Sequence, residues 1–155
     1  MATADEVEIY TARHAGQIRE VVNRNALVSR LVLQGYNVYL PVYDAGIDFV
    51  LHREADDHLI KVQFKGRWTI DQKYLGRDLW IAFADAASGS WYLMPHDEMV
   101  DLGTRLGFTG TDSWTLKGQY HTKSLSKTMR EICEPFRLPE DASCVAEALD
   151  ATDAV

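Results

Sequence analysis

Two short runs of strand-forming residues, 46–51 and 59–65, flank a polar stretch at residues 52–58. Apolar runs of this length around a polar turn segment are typical of a β-hairpin. The pattern therefore predicts that the two runs pair as antiparallel strands. This pairing constrains the fold strongly, because it determines which side chains of the two strands meet.

Three polar side chains are expected at the end of the hairpin away from its turn. Asp48 lies near the start of the first strand, and Gln63 and Lys65 lie near the end of the second. Because side chains alternate along a strand, Gln63 and Lys65 point to the same face. A carboxylate, an amide oxygen and an ammonium group there could hold a divalent cation beside a phosphate. The alternative is an ordinary ion pair between Asp48 and Lys65, with Gln63 hydrogen-bonded to the backbone.

The elements around the hairpin predict an α/β domain in which helices flank one mixed β-sheet. Apolar residues at helical spacing predict a helix over residues 14–34 that Gly35 ends, and residues 36–42 predict a strand. Further predictions are a loop or short helix at residues 66–77, a strand buried on both faces at 79–84, a strand at 91–94, a helix at 96–102 ended by Gly103, an irregular segment at 104–118, and a last helix with Ser124 as its N-cap.

The composition indicates one globular domain. The chain has 155 residues, of which 46% are hydrophobic, enough for a single core. No apolar run reaches the roughly 18 residues that a membrane span requires, and the first residues lack the pattern of a secretory signal, so we expect a cytoplasmic protein without membrane association. We expect one domain at residues 9–139 between two acidic tails, 1–8 and 140–155, the second of them disordered.

The charge distribution leaves nucleic-acid binding open despite a net charge of −7. The two predicted tails carry acids and no bases. Residues 9–139 therefore hold all 16 bases against 15 of the 23 acids. A nearly neutral body can bind a phosphate backbone if its bases cluster on one face.

The element order and the Asp48…Gln63-x-Lys65 pattern resemble the core of the PD-(D/E)XK nuclease superfamily. In that superfamily an acid lies on one strand and the next strand carries acid-x-Lys. The resemblance runs from about residue 14 to residue 102 and is greatest to the resolvase-like branch, which includes certain intron-encoded homing endonucleases. It implies a restriction-endonuclease-like core in αβββ-αβ order, DNA as partner, Mg²⁺ or Mn²⁺ as cofactor, and hydrolysis of phosphodiester bonds by an endonuclease. It also implies a homodimer, since cutting two strands needs two sites.

The resemblance assigns roles to the residues of the motif. Asp48 would be the principal metal ligand, with the Gln63 amide oxygen and the Phe64 backbone carbonyl as further ligands. Lys65 would orient or deprotonate the attacking water. Gln63 departs from the acid that is usual at its position, although some active homing endonucleases of the superfamily carry Gln-x-Lys.

Glu20 is the candidate for the additional acid that the superfamily places on its first helix. It follows Gly16 by four residues, as in relatives with G-x-x-x-E, but it lies about one helical turn further from Gly35 than the family spacing implies. Arg24 occupies the expected offset. The alternative is a solvent-exposed i,i+4 ion pair between Glu20 and Arg24.

Two basic stretches are candidates for contact with nucleic acid. Just past the motif, Arg67, Lys73 and Arg77 could bind phosphates, and Trp68 could stack on a base. Further along, Lys123 and Lys127 could follow a backbone. The alternatives are core packing for Trp68 and ordinary solvated surface for the second stretch.

Two functions other than catalysis fit the same sequence. One is a nucleic-acid-binding or regulatory module with a degenerate site, which Gln63 and the acidic tails favour. The other is an interaction protein whose acidic surface meets a basic partner.

Overall fold

The computed structural model describes residues 3–4, 8 and 12–140. The predicted tails at 1–8 and 140–155 therefore lie almost wholly outside the described residues. The helices are α1 (Ala15–Leu33), α2 (His96–Arg105), α3 (Asp112–Thr115) and α4 (Lys127–Cys133), and 3₁₀ turns occupy Gln72–Tyr74, Phe108–Gly110 and Glu134–Phe136. The strands are β1 (Tyr36–Tyr39), β2 (Phe49–Arg53), β3 (His58–Lys65), β4 (Trp68–Asp71), β5 (Leu79–Ala84), β6 (Trp91–Pro95) and β7 (Gln119–Thr122).

Five strands form one mixed sheet in the order β1-β2-β3-β5-β6. The predicted hairpin is confirmed, because β2 and β3 pair antiparallel with Phe49 opposite Val62. β3 and β5 are parallel, with Gln63 opposite Ile81, and the other neighbours are antiparallel. The prediction of an α/β fold with a mixed sheet flanked by helices is therefore confirmed.

The connection between β3 and β5 differs from the prediction. Residues 66–77, predicted as a loop or short helix, contain the strand β4 and a 3₁₀ turn. β4 pairs antiparallel with β7 in a separate two-stranded ribbon, with Thr69 opposite His121. The bases of this stretch suggested a surface loop, but Trp68 and Ile70 are fully buried, and their burial stabilises a strand.

Hydrophobic side chains form two clusters. Phe49, Leu51, Val62 and Ala82 pack against Leu27 and Leu31 of α1. The second cluster contains residues of β4, the 3₁₀ turn, β5, β6, α2 and α4, among them Trp68, Ile70, Tyr74, Ile81, Phe83, Met99, Leu102 and Met129. β5 contributes to both clusters, so the prediction of a strand buried on both faces is confirmed.

Two predicted helix ends are wrong. α2 continues through Gly103 to Arg105, because Gly103 lies inside the core where a helix packs closely on β4. A Cβ atom at this position would lie 3.0 Å from Ile70 Cδ1, so glycine permits this close approach. The N-cap of α4 is Ser126, whose hydroxyl accepts a hydrogen bond from the Met129 N–H, and not Ser124.

Within the described part of the chain, none of the helices combines the length and the apolar character that crossing a membrane requires.

Candidate active site

Asp48 is held where β2 begins and contacts the end of β3. Its N–H donates to the Val62 carbonyl at 2.9 Å, which extends the β2–β3 ladder by one residue. Its carboxylate Oδ2 accepts a hydrogen bond from Gln63 Nε2 at 2.5 Å and another from the Phe64 N–H at 2.6 Å. The hairpin thus brings together the acid and the amide that the sequence pattern singled out.

Gln63 is buried, with 8% of its surface exposed, and its amide is only half satisfied. Nε2 donates to Asp48 and lies 3.4 Å from the Phe64 carbonyl. Oε1 has no hydrogen-bond partner. An orphaned buried acceptor costs about 1–3 kcal/mol, and such groups concentrate at functional sites.

Lys65 lies two residues beyond Gln63. Its Nζ lies 5.7 Å from the ring centroid of Tyr74, a cation–π distance. Among the described residues, Lys65 makes no ion pair with Asp48 within 4.0 Å, so the simple Asp48–Lys65 bridge of the alternative interpretation is absent. The Lys65 charge still acts on Asp48 through space, where it favours the carboxylate form.

The pKa of the Asp48 carboxyl group is raised above its ordinary value. Burial is the main cause, and the negative charges of Asp44 and Glu20 add to it. The Phe64 N–H and the charge of Lys65 act in the opposite direction. A positive charge arriving beside Asp48 would therefore relieve an existing electrostatic cost.

Glu20 is exposed on α1 and its charge acts on Asp48, but it makes no hydrogen bond to the Asp48 carboxylate. The described residues contain no Glu20–Arg24 ion pair within 4.0 Å, so this alternative is absent as well. Glu20 is thus placed near the site without direct contact.

Asp44 was missed by the sequence reasoning. Its Oδ1 accepts hydrogen bonds from the N–H groups of Gly46 (2.7 Å) and Ile47 (3.2 Å), which forms the turn that leads into Asp48. The signal in the sequence was Asp-x-Gly ahead of a strand, a turn pattern whose glycine here has a φ of 84°.

Arg77 lies beside this turn, closer to the motif than the sequence indicated. A Cβ atom on Gly46 would lie 3.6 Å from the Arg77 guanidinium, 3.7 Å from the Tyr74 ring and 4.0 Å from Gln63 Oε1. The absence of a side chain at Gly46 therefore leaves room for a guanidinium and the orphaned amide oxygen on the same side of the turn.

The other candidates for nucleic-acid contact divide into three groups. Arg67 and Lys123 line one groove, although they are distant in sequence. Lys73 is paired with Asp71 at 3.2 Å, and Lys127 is exposed at the start of α4. The prediction for Trp68 is wrong, because the side chain is fully buried against Phe108 and Tyr120 and has no face for a base.

The donor set suits a hard cation only in part. Among the described residues, no group of three or more His, Cys, Asp or Glu side chains could hold a metal ion. Asp48, the Gln63 amide and the Phe64 carbonyl do meet at one point. Mg²⁺ prefers oxygen ligands and keeps several waters, so one carboxylate with two neutral oxygens fits its chemistry if Gln63 presents Oε1.

No protein-family model matches the chain, and no curated protein matches it. Among solved structures it is similar to a bacterial homing endonuclease, I-Ssp6803I, at 18% sequence identity and a TM-score of 0.42. The similarity covers 77% of this chain and 78% of the other.

Proposed function

We propose that the chain is a metal-dependent endonuclease that hydrolyses phosphodiester bonds in DNA. The observation that carries this proposal is the contact of the Asp48 carboxylate with the Gln63 amide and the Phe64 peptide, with Lys65 two residues further along the same strand. A buried acid, an orphaned oxygen and a nearby lysine are the elements that phosphodiester hydrolysis requires at one point.

Asp48, Gln63 and Phe64 would hold the metal. A bound Mg²⁺ or Mn²⁺ would lower the pKa of a water molecule and neutralise charge on the phosphate. The Asp48 carboxylate already accepts two hydrogen bonds, which fix its orientation. A half-turn of the Gln63 amide about its last torsion would replace Nε2 by Oε1 and give an oxygen-only donor set.

Lys65 would act on the attacking water and on the charge that develops at phosphorus. Its position beside Tyr74 keeps the ammonium without a paired acid, so its charge remains directed at the site. The Arg77 guanidinium, near Gly46, would bind the same phosphate. Glu20, exposed on α1, would act through bound water, since it does not contact Asp48.

A second candidate is a DNA-binding module on the same fold without catalysis. One observation favours it: the Gln63 amide nitrogen, and not its oxygen, faces Asp48, and this hydrogen bond satisfies the carboxylate without a metal. The two candidates share a DNA partner and differ only in turnover. A homodimer remains a proposal that follows from the need to cut two strands.

Cleavage of branched, nicked and linear DNA with Mn²⁺, at enzyme concentrations above the substrate, separates the two. We expect Lys65→Ala to slow cleavage by roughly 100-fold or more. Lys117→Ala removes the same charge from an exposed residue outside the motif and is expected to cut like the wild type. Equal rates for wild type and Lys65→Ala would contradict the mechanism, and DNA binding without cleavage by the wild type would favour the module.

A further inference from the structure

We propose that the β4–β7 ribbon and the end of β3 form a groove that binds the phosphate backbone of the DNA substrate. This rests on the proposed function for the identity of the ligand. It extends that proposal by assigning the docking surface to a structural element whose existence the sequence pattern did not reveal.

The ribbon is two-sided. On one side Trp68 and Ile70 enter the core, and Tyr120 packs against them. On the other side, the strand alternation places His121 opposite Thr69. Continuing this register by one residue brings Arg67 opposite Lys123, so two permanent cations from distant parts of the sequence share one side.

The groove is positively charged although the chain is acidic. Its two adjoining parts share Gly66 and Arg67. None of the described residues that line it is acidic, and the lining consists of Lys65, Gly66, Arg67, Thr69, Ala86, Gln119, His121 and Lys123. With a net charge of −7 on the whole chain, attraction of DNA must come from such a local cluster.

The wall of the groove is held in place by the backbone. The Ala86 N–H donates to the Lys123 carbonyl at 3.0 Å, which joins the β5–β6 turn to the end of β7. Two residues further on, the Leu125 N–H donates to the buried carboxylate of Asp85. Lys123 therefore extends from a fixed segment, which reduces the entropy lost when it binds a phosphate.

The groove leads directly to the candidate active site. Lys65 belongs both to the proposed catalytic set and to the groove lining. A backbone held by Arg67 and Lys123 would thus pass the ammonium of Lys65. His121 supports the proximity of these cations, because partial burial and the charges of Arg67 and Lys123 lower its pKa. A phosphate in the groove would relieve this repulsion.

The test is equilibrium binding of a fluorescently labelled DNA duplex to the full chain in EDTA, where no metal-dependent cleavage occurs. We expect Arg67→Gln with Lys123→Gln to weaken binding and to reduce the slope of log K against log[salt] by about 2, since each phosphate contact contributes about 0.9. Lys123→Gln alone is expected to reduce the slope by about 1 and serves if the double variant folds poorly.

The control pair is Arg53→Gln with Arg105→Gln. Arg53 pairs with Asp56, and Arg105 lies with Glu98 and Asp101, so this change of two charges lies outside the groove. We expect its salt slope to equal that of the wild type. Wild-type slopes in both groove variants would overturn the proposal, and so would tighter binding of an RNA duplex than of DNA.

The outcomes separate this inference from the proposed function. If the wild type binds and cuts DNA while the groove variants keep its salt slope, the groove is wrong and the endonuclease proposal stands. If the groove variants lose binding but Asp48→Ala cuts at the wild-type rate, the groove stands and the mechanism is wrong. If the wild type binds no DNA at low salt, both are wrong.

Discussion

The side-chain amide of Gln63 donates a hydrogen bond of 2.5 Å to the carboxylate of Asp48 and leaves its own oxygen without a partner. This relationship links stability to function. The amide nitrogen stabilises a partly buried negative charge, while the orphaned oxygen represents a cost that only a donor or a cation can remove.

Replacement of Gln63 by glutamate should strengthen metal binding and weaken the fold in the absence of metal. A second carboxylate would lie against Asp48 in place of a hydrogen-bond donor, so the two negative charges would repel one another until a cation separates them. We expect a melting temperature below that of the wild type in EDTA, and a larger rise on addition of Mn²⁺. Thermal unfolding with and without Mn²⁺ measures both effects. A melting temperature in EDTA equal to that of the wild type would contradict the prediction.

Replacement of Asp48 by asparagine should stabilise the fold while it abolishes activity. The folded protein raises the pKa of Asp48, chiefly by burial, so the ionised form present at neutral pH is the less favourable one. Asparagine removes the charge and still offers an oxygen to the Phe64 N–H. We expect a higher free energy of unfolding at neutral pH and cleavage slower by at least about 100-fold. Asp101→Asn, an exposed acid on α2, is the control, and a lower free energy of unfolding for Asp48→Asn would count against the account.

DNA binding should tighten as His121 gains a proton. The pKa of His121 lies below its ordinary value of 6.5, because of partial burial and the charges of Arg67 and Lys123. The other groove residues around it are the cation Lys65 and the neutral Thr69 and Gln119. His121 is therefore neutral at about pH 7.5 and becomes charged below about pH 6.5.

We expect the wild type to bind a DNA duplex roughly three- to tenfold more tightly at about pH 5.5 than at about pH 7.5, the effect of one added charge contact. His121→Gln should lose this difference and keep the wild-type affinity at the higher pH. Fluorescence anisotropy at the two pH values measures it. An identical pH dependence in both proteins would exclude His121 as the titrating group.

Asp85 should contribute strongly to stability. Its buried carboxylate accepts hydrogen bonds from the Leu125 N–H, the Ala87 N–H and the Ser88 hydroxyl. Burial alone would raise the pKa of Asp85, but these bonds and the nearby Arg130 outweigh it and lower the pKa below 3.8. The stabilisation is therefore complete above about pH 4 and is lost as the pH falls through the lowered pKa.

We expect Asp85→Ala to reduce the free energy of unfolding at neutral pH by about 3 kcal/mol, because two backbone donors lose their partner. Asp85→Asn, which keeps one acceptor oxygen, should lose less. Urea denaturation of both variants measures the difference. A loss below about 0.5 kcal/mol in Asp85→Ala would contradict the assigned role.

Local sequence patterns were sufficient for the hairpin and for the meeting of Asp48 with Gln63. Strand alternation and a polar turn determine the register, and the register determines which side chains face one another. The orientation of the Gln63 amide could not be predicted, since it depends on the Phe64 peptide and on the surroundings of its oxygen. Asp44 was missed because its role depends on a turn that the strand pattern does not describe.

The ribbon shows where local patterns fail. β4 is short, and its partner β7 lies far along the chain, so neither strand is marked by its immediate neighbours. Burial of Trp68 depends on this pairing and on α2, where Gly103 allows close approach. For the same reason, Arg67 and Lys123 could be recognised as bases in the sequence but not as neighbours in one groove.

The most direct test of the central claim is calorimetric titration of Mn²⁺ into the full chain without DNA. The account predicts that the wild type binds Mn²⁺, that Asp48→Ala does not, and that the control Asp101→Ala binds like the wild type. Equal Mn²⁺ binding by wild type and Asp48→Ala, or none by the wild type, would contradict a metal site built by Asp48, Gln63 and Phe64.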